Sequence, residues 1–255
     1  MPLHDDGKRA AVRHIAYEAV GSTNVEALAL ARSGERGPLW ITAARQTAGR
    51  GRRGNVWASE PGNLYASLLL ADAAQPRHLP ELCFVVALAV RDAVCAVAPA
   101  LAVRLKLKWP NDILLDGAKL CGILIEAESV GAESVTVIGI GVNCAHHPAT
   151  TGYPATDLAA QGAHVAPDRL FVALSGAMTD RLAQWNRGAD FAAVRADWLT
   201  HAAGIGAEIV VRLANREVTG LFESLDAGGR LMLRRPGGEL EPITAGEVFP
   251  ARIPA

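Results

Sequence analysis

The chain has no apolar run long enough to cross a bilayer. The longest, around Cys83 to Val90, is closed by Arg91 and Asp92, well short of the roughly 20 residues that a spanning helix needs. The N-terminus lacks the apolar stretch of a secretory leader, since His4, Asp5, Asp6, Lys8 and Arg9 stand there. A cytoplasmic location without a membrane partner is therefore expected. Cysteine is scarce. The four, Cys83, Cys95, Cys121 and Cys144, form no CxxC pair and no Cys/His grouping of zinc-site spacing. This excludes a disulfide framework and a structural zinc site, and buried, reduced thiols with no protein-held metal are expected. Excess charge is missing too, with 25 Lys and Arg against 26 Asp and Glu, so nothing draws the whole chain toward nucleic acid. Internal repeats and low-complexity tracts are absent.

Half of the 255 residues are hydrophobic, enough for a sizeable core. Residues 1–12 are polar and read as frayed. Glu26 to Arg32 reads as a helix closed by Ser33 and Gly34, Leu39 to Ala44 and Leu64 to Leu70 as strands, and Glu81 to Val97 as a helix buried over most of its surface. Two strands follow around Asp116-Gly117, then a strand from Val135 to Ile140. Leu170, Phe171, Leu174, Met178, Leu182 and Trp185 recur at helical spacing, and Phe191, Val194 and Trp198 mark another helix. After Gly204 short β-type runs (Ile209 to Val211, Glu217 to Leu225, Leu231 to Arg234, Val248 to Phe249) alternate with turn clusters. This texture predicts a first α+β domain over 13–203 and a small separate β-barrel over 204–255.

One window breaks the charge balance. From Gly37 to Ser59 there is no acidic residue, yet Arg45, Arg50, Arg52 and Arg53 lie there. Gly49-Arg50-Gly51-Arg52-Arg53-Gly54 matches GxGxxG in form, but Pro61 and Gly62 follow too soon for the helix that a dinucleotide fingerprint requires. A Walker A loop is missing as well. The glycines let backbone approach an anion and leave the loop mobile until a ligand neutralises it, and the arginines offer planar donors to phosphoryl oxygens. The residues alone leave phosphate binding, a solvated basic turn and a nucleic-acid contact all open.

A second motif runs Lys108-Trp109-Pro110-Asn111-Asp112, three apolar residues, Asp116-Gly117, then Ala118 and Lys119. Asp-Gly between apolar runs signals a two-residue hairpin. The register then pairs Leu115 with Ala118, Leu114 with Lys119 and Asp112 with Cys121. Period-two alternation puts Asp112 and Lys119 on one face and Gly122 on the other. Pro110 delays the start of the strand to Asn111. Smaller signals flank these motifs. Thr23 and Glu26 have capping-box spacing, which leaves Ser22 and Asn24 free to face a ligand. Gln46 can both donate and accept. Gly139-Ile-Gly141-Val-Asn143 reads as close packing and a turn. His146 and His147 read as surface residues without ligand partners.

In this order the motifs closely resemble the biotin protein ligase family, from about residue 14 to the C-terminus. They are Ser22-Thr23-Asn24, Gln46-Thr-Ala-Gly49 through Gly54, Lys108-Trp-Pro-Asn-Asp112, Lys119-Leu-Cys-Gly122 and Gly139 through Asn143. The resemblance implies a mixed, mainly antiparallel sheet with flanking helices, as in class II aminoacyl-tRNA synthetases, followed by a Src-homology-3-like barrel. It implies biotin contacts at Ser22, Thr23, Asn24, Gln46, Arg50, Gly51, Arg52 and Lys119. Contacts to ATP and the adenylate fall on Gly49, Arg50, Arg52, Arg53, Trp57, Asn111, Lys119 and Asn143. Cys121 stands where the family often has alanine.

The implied reaction joins biotin to ATP as biotinyl-5′-AMP, with Mg²⁺, and passes biotin to one lysine of a biotin carboxyl carrier protein. Lys119 and the loop arginines stabilise phosphate charge, and Asp112 is the candidate that positions or deprotonates the acceptor lysine. Lipoate or octanoate ligation on the same fold is one alternative. A ligase that is also a DNA-binding repressor is another, but a helix-turn-helix needs roughly 25 residues, so no nucleic-acid partner is expected. The oligomer is expected to be a monomer or homodimer.

Overall fold

The computed structural model describes residues 13–149 and 152–251. The expected fraying of residues 1–12 lies outside the described residues. In chain order the elements are β1 (His14–Val20), α1 (Thr23–Arg32), β2 (Leu39–Gln46), β3 (Leu64–Ala71), α2 (Leu82–Val97), β4 (Leu105–Lys108), β5 (Asp112–Leu115), β6 (Ala118–Val130) and β7 (Glu133–Val142). Then come α3 (Pro167–Trp185), α4 (Phe191–Thr200) and five short strands, β8 (Glu208–Arg212), β9 (Glu217–Leu225), β10 (Leu231–Arg234), β11 (Leu240–Ile243) and β12 (Glu247–Pro250).

The first seven strands form one sheet in the order β1-β2-β3-β7-β6-β5-β4. Only β1 and β2 run parallel; every other pair is antiparallel. The mixed, mainly antiparallel sheet that the family resemblance implied is thus present. The five later strands form an antiparallel sheet in the order β11-β10-β9-β8-β12, in keeping with a Src-homology-3-like fold. Three strands went unforeseen. β1 has a broken alternation of burial and β11, Leu-Glu-Pro-Ile, shows no apolar–polar alternation, while β4 alternates as Leu-Lys-Leu-Lys but is only four residues long.

Alternation along β7 divides the core. Ile138, Ile140 and Val142 join the large cluster formed with α2, α3 and α4, whereas Val135 and Val137 face α1 with Leu39, Ile41 and Leu69. α2 is apolar nearly all round because it lies between the sheet and α3. Truncating its fully buried Leu88 to alanine would cost about 2–5 kcal/mol. The large cluster runs without interruption into Ile209, Val211, Val218 and Phe222 of the second sheet. Trp109 adds a polar tie, its indole N–H donating to the Gly229 carbonyl at 3.0 Å. The barrel is therefore packed on the first unit through a shared core.

α1 covers only part of its face of the sheet. Past its N-terminus, the β7 residues that continue that face are Gly139 and Gly141, and the opposing residue on β6 is Gly122. Three missing side chains leave a bare floor where a ligand can lie.

Candidate active site

A cavity of about 390 Å³ opens over this floor, within the usual range for small-molecule sites. Ser22, Thr23, Asn24, Gln46, Arg50, Gly51, Arg52, Trp57, Asn111, Asp112 and Lys119 all line it. The expected residues therefore converge, with three exceptions. Gly49 is buried beneath the loop, where an added Cβ would meet the Trp57 carbonyl at 2.4 Å and the Ser59 hydroxyl at 2.5 Å. Arg53 has a left-handed φ of 55° and turns toward Glu247, at 3.9 Å. Asn143 was expected on the nucleotide. Its side chain instead donates to the Thr156 carbonyl at 3.0 Å and is 3% exposed. It pins the segment after residue 152 and does not reach the cavity.

The start of α1 supplies a polar cluster. Ser22 is the N-cap residue and its side chain makes no cap bond. The expected Thr23–Glu26 capping box is not made, because Thr23 lies inside the helix and its side chain is engaged elsewhere. Its N–H and hydroxyl lie 2.9 and 3.2 Å from the side-chain amide oxygen, Oε1, of Gln46. Gln46 donates to Ser59, and Ser59 to the Trp57 carbonyl. Ser67, fully buried on β3, places its hydroxyl 2.6 Å from Asn24 Oδ1 and 2.8 Å from Thr23 Oγ1. The Asn24 amide donates to Glu126 at 2.8 Å. Ser59, Ser67 and Glu126 were not identified from sequence. Ser67 and Glu126 in strands, and Ser59 in the loop before β3, carry no positional signal until the register is known.

The arginine loop folds back as a tight excursion. Gly51 N–H donates to the Asn55 carbonyl at 2.7 Å and Trp57 N–H to the Gly49 carbonyl at 3.0 Å. No α-helix starts there, only a three-residue 3-10 turn at Arg52–Gly54, so the dinucleotide reading fails as expected. Arg50 contacts Glu126 at 2.8 Å, and Arg52 donates to Asn111 Oδ1 at 2.8 Å. The Trp57 indole lies across the glycine floor. An added Cβ would come within 2.5 Å of its ring at Gly141 and 2.9 Å at Gly122.

The hairpin brings the charges together, with one correction to its register. Leu115–Ala118 and Leu114–Lys119 pair as expected, but the pairing then shifts, and Asp112 lies opposite Gly122 instead of Cys121. An extra residue on β6, a bulge, turns Gly122 to the Lys119 side. Its added Cβ would lie 3.3 Å from Lys119 Cε, so the expectation that Gly122 faces away is overturned. The expected ion pair survives, with Lys119 Nζ 2.7 Å from Asp112 Oδ1 and Lys108 Nζ 3.3 Å from Oδ2. The strand begins at Asp112, after a turn through Trp109 and Pro110. Burial works against charge on Lys119, but the Asp112 carboxylate outweighs it and holds the ammonium above the ordinary lysine range.

The second sheet closes the mouth through Arg212, Glu247 and Phe249. Arg212 and Lys108 lie 4.8 and 5.6 Å from the Phe249 ring centre. Sequence reasoning missed these residues, because nothing local places a C-terminal strand beside a loop at residue 50. The thiols are free, as expected, but only Cys121 and Cys144 are buried; Cys83 and Cys95 are intermediate. His147 is not isolated, since its Nδ1 lies 2.6 Å from Asp157 Oδ2. Among the described residues no helix is long and apolar enough to cross a membrane.

The chain has counterparts among known proteins. The model of the Biotin/lipoate A/B protein ligase family matches residues 21–143, and that of the Biotin protein ligase C terminal domain matches residues 204–249. A biotin–acetyl-CoA-carboxylase ligase from Paracoccus denitrificans is 38% identical over 237 residues, covering 89% of this chain and 96% of that protein. One from Mycobacterium tuberculosis is 34% identical over 241 residues, covering 91% and 86%. Among solved structures, a biotin protein ligase from Aquifex aeolicus in complex with biotin and ATP superposes with a TM-score of 0.78 at 24% identity, covering 93% and 97% of the two chains. One from Leishmania major in complex with biotinyl-5-AMP gives 0.64 at 27%, covering 91% and 99%. With both family models matched in chain order and a relative aligned along nearly its whole length, this chain belongs to the biotin protein ligase family.

Proposed function

We propose that this chain is an ATP-dependent biotin protein ligase that forms biotinyl-5′-AMP and transfers biotin to one lysine of a biotin carboxyl carrier protein. The observation that carries the reading is the meeting of Arg50, Arg52 and Lys119 in one cavity beside the polar cluster of Ser22, Thr23, Asn24 and Gln46. Residues 13–203 would form the catalytic unit and 204–255 the barrel that closes its mouth.

Biotin presents a ureido ring, an apolar bicycle and a carboxylate tail. The ring needs donors and acceptors at the closed end of the site, which the cluster at the start of α1 supplies. The carboxylate points toward Lys119, whose ammonium Asp112 keeps charged. Activation gathers negative charge around the α-phosphate, and fixed cations stabilise that charge without reorganising. Lys119, Arg50 and Arg52 are those cations. The glycine floor lets the adenylate lie flat, with Trp57 as its aromatic wall.

Mg²⁺ fits as a passenger on the nucleotide. Among the described residues no group of three His, Cys, Asp or Glu is placed to hold a metal, and Mg²⁺ commonly binds through substrate phosphates and one or two carboxylates. Asp112 is the carboxylate best placed to be one of them. When bound, the ion neutralises phosphate charge.

In the transfer step the amine of the acceptor lysine attacks the acyl carbon and AMP leaves. A free lysine is only about 0.1% deprotonated near pH ~7.4, so the ammonium must give up a proton before it attacks. Asp112 is the candidate that positions the acceptor amine or takes its proton, exchanging one of its two lysine partners for it. The arginine loop shields the anhydride from water. Pyrophosphate release in the presence of ATP and Mg²⁺ tests the reading. Biotin should stimulate release and lipoate should not; stimulation by lipoate alone would move the chain to the lipoate branch.

A further inference from the structure

Glu126, on β6, belongs to none of the motifs, yet it touches both halves of the site. Its carboxylate takes the Asn24 amide at 2.8 Å and Arg50 Nη2 at 3.0 and 2.8 Å. Asn24 comes from the start of α1 and Arg50 from the cationic loop. We propose that Glu126 is a positioning residue that couples the biotin pocket to the arginine loop, so that filling the first sets the second. The proposal rests on the ligase reading above.

The loop needs an outside counter-charge, because residues 37–59 contain no acidic residue. Glu126 provides it for Arg50. For Arg53 the nearest carboxylate is Glu247, at 3.9 Å, and Arg52 rests on the neutral Asn111. The Arg50–Glu126 pair thus fixes the base of the loop. Among the described residues only Nη2 of Arg50 is engaged, so Nε and Nη1 remain to meet an anionic ligand without release of Glu126.

The other partner is rigid. An ionised carboxylate only accepts, which fixes the Asn24 amide nitrogen toward Glu126 and leaves Oδ1 for the Ser67 hydroxyl at 2.6 Å. Asn24 is 3% exposed and lies directly over Gly139, so even a small displacement of its amide disturbs these bonds. Both donors share one oxygen, Oε2, at 2.8 Å each. A ligand that shifts Asn24 therefore changes the hold on Arg50.

Glu126→Gln keeps the shape but removes the charge, and its amide cannot accept from both partners in the same way. The expected result is a biotin KM and an escape of adenylate to free amines that each rise about tenfold, with kcat for carrier labelling changed less than about threefold. The melting temperature should fall by only about 2–4 °C, because the Gln oxygen still accepts one neutral hydrogen bond. In an Asn24→Ala background the same substitution should add little to the biotin KM, because its partner there is already gone. The assignment is overturned if Glu126→Gln leaves biotin KM and escape at wild-type values. It is equally overturned if the full effect on KM persists in the Asn24→Ala background, or if kcat collapses and the melting temperature falls well beyond that range, as for a general loss of structure. A wild-type protein without biotin-dependent pyrophosphate release would instead end the ligase reading itself.

Discussion

Gly139→Ala isolates the packing that shapes the proposed biotin pocket. Gly139 lies on β7 with Ser67 and Leu124 as its cross-strand partners. Its backbone is not in the left-handed region, so alanine is conformationally acceptable and only the new methyl group matters. That methyl would stand 2.4 Å from Asn24 Oδ1 and 2.9 Å from its Cγ and Nδ2, about 1 Å inside normal contact. Asn24 must move, and its bonds to Ser67 and Glu126, at 2.6 and 2.8 Å, break together. A neutral hydrogen bond contributes about 1 kcal/mol and one to a charged group about 1.5–3 kcal/mol, so we expect a loss of about 2–4 kcal/mol. For a domain of this size that is roughly 5–15 °C in melting temperature. Biotin KM should rise at least about tenfold, one power of ten for each ~1.4 kcal/mol. Differential scanning fluorimetry and pyrophosphate release read the two effects. Gly141→Ala provides the contrast. Its methyl would meet the Trp57 ring at 2.5 Å, and among the described residues the indole N–H has no hydrogen-bond partner, so the ring can tilt at smaller cost. That variant should melt near wild type and lose affinity for ATP more than for biotin. Wild-type melting and wild-type biotin KM in Gly139→Ala would refute the reasoning.

Arg52→Gly removes the bond to Asn111 that ties the loop to the hairpin. Adenylate should leak and label lysines indiscriminately, and mass spectrometry of a bystander protein that found no added biotin would contradict this. Asp112→Asn should slow transfer from preformed adenylate at least about tenfold, since Lys108 and Lys119 lose their shared counter-ion; unchanged single-turnover transfer would remove Asp112 from that step. At the other end of the fold, the Arg13 guanidinium and the Gly37 N–H hold the Glu35 carboxyl down at about 2. A depressed carboxyl contributes stability above its unfolded value and loses it as pH falls through the folded one. Glu35→Gln should therefore melt lower than wild type at pH ~7, with the gap closing between 4.5 and about 2; a gap independent of pH would refute the assignment.

What the sequence made legible was what short-range rules govern. The Asp-Gly turn sets Leu115 opposite Ala118, and the ion pair of Asp112 with Lys119 follows from it. Two residues further the bulge on β6 moves Gly122 to the other face, and no pattern of apolar residues marks that extra residue. The Thr23–Glu26 spacing suits a capping box, but Gln46 competes for Thr23 and wins because β2 ends beside α1. The residues around Asn143 read as close packing and a turn, and the family resemblance alone put Asn143 on the nucleotide; its amide holds Thr156. Glu126, Ser67 and Phe249 depend on strand order and on the docking of the second sheet. Those are tertiary facts, settled by the shared core.

The account stands on the transfer of an activated acyl group to a single lysine. Incubation of the chain with ATP, Mg²⁺, biotin and a biotin carboxyl carrier domain, followed by intact-mass and peptide analysis, tests this directly. The account predicts one biotinyl increment on one carrier lysine, dependent on ATP and abolished by Lys119→Ala. An unmodified carrier with active wild-type protein concentrations, or the same increment from Lys119→Ala, would contradict it.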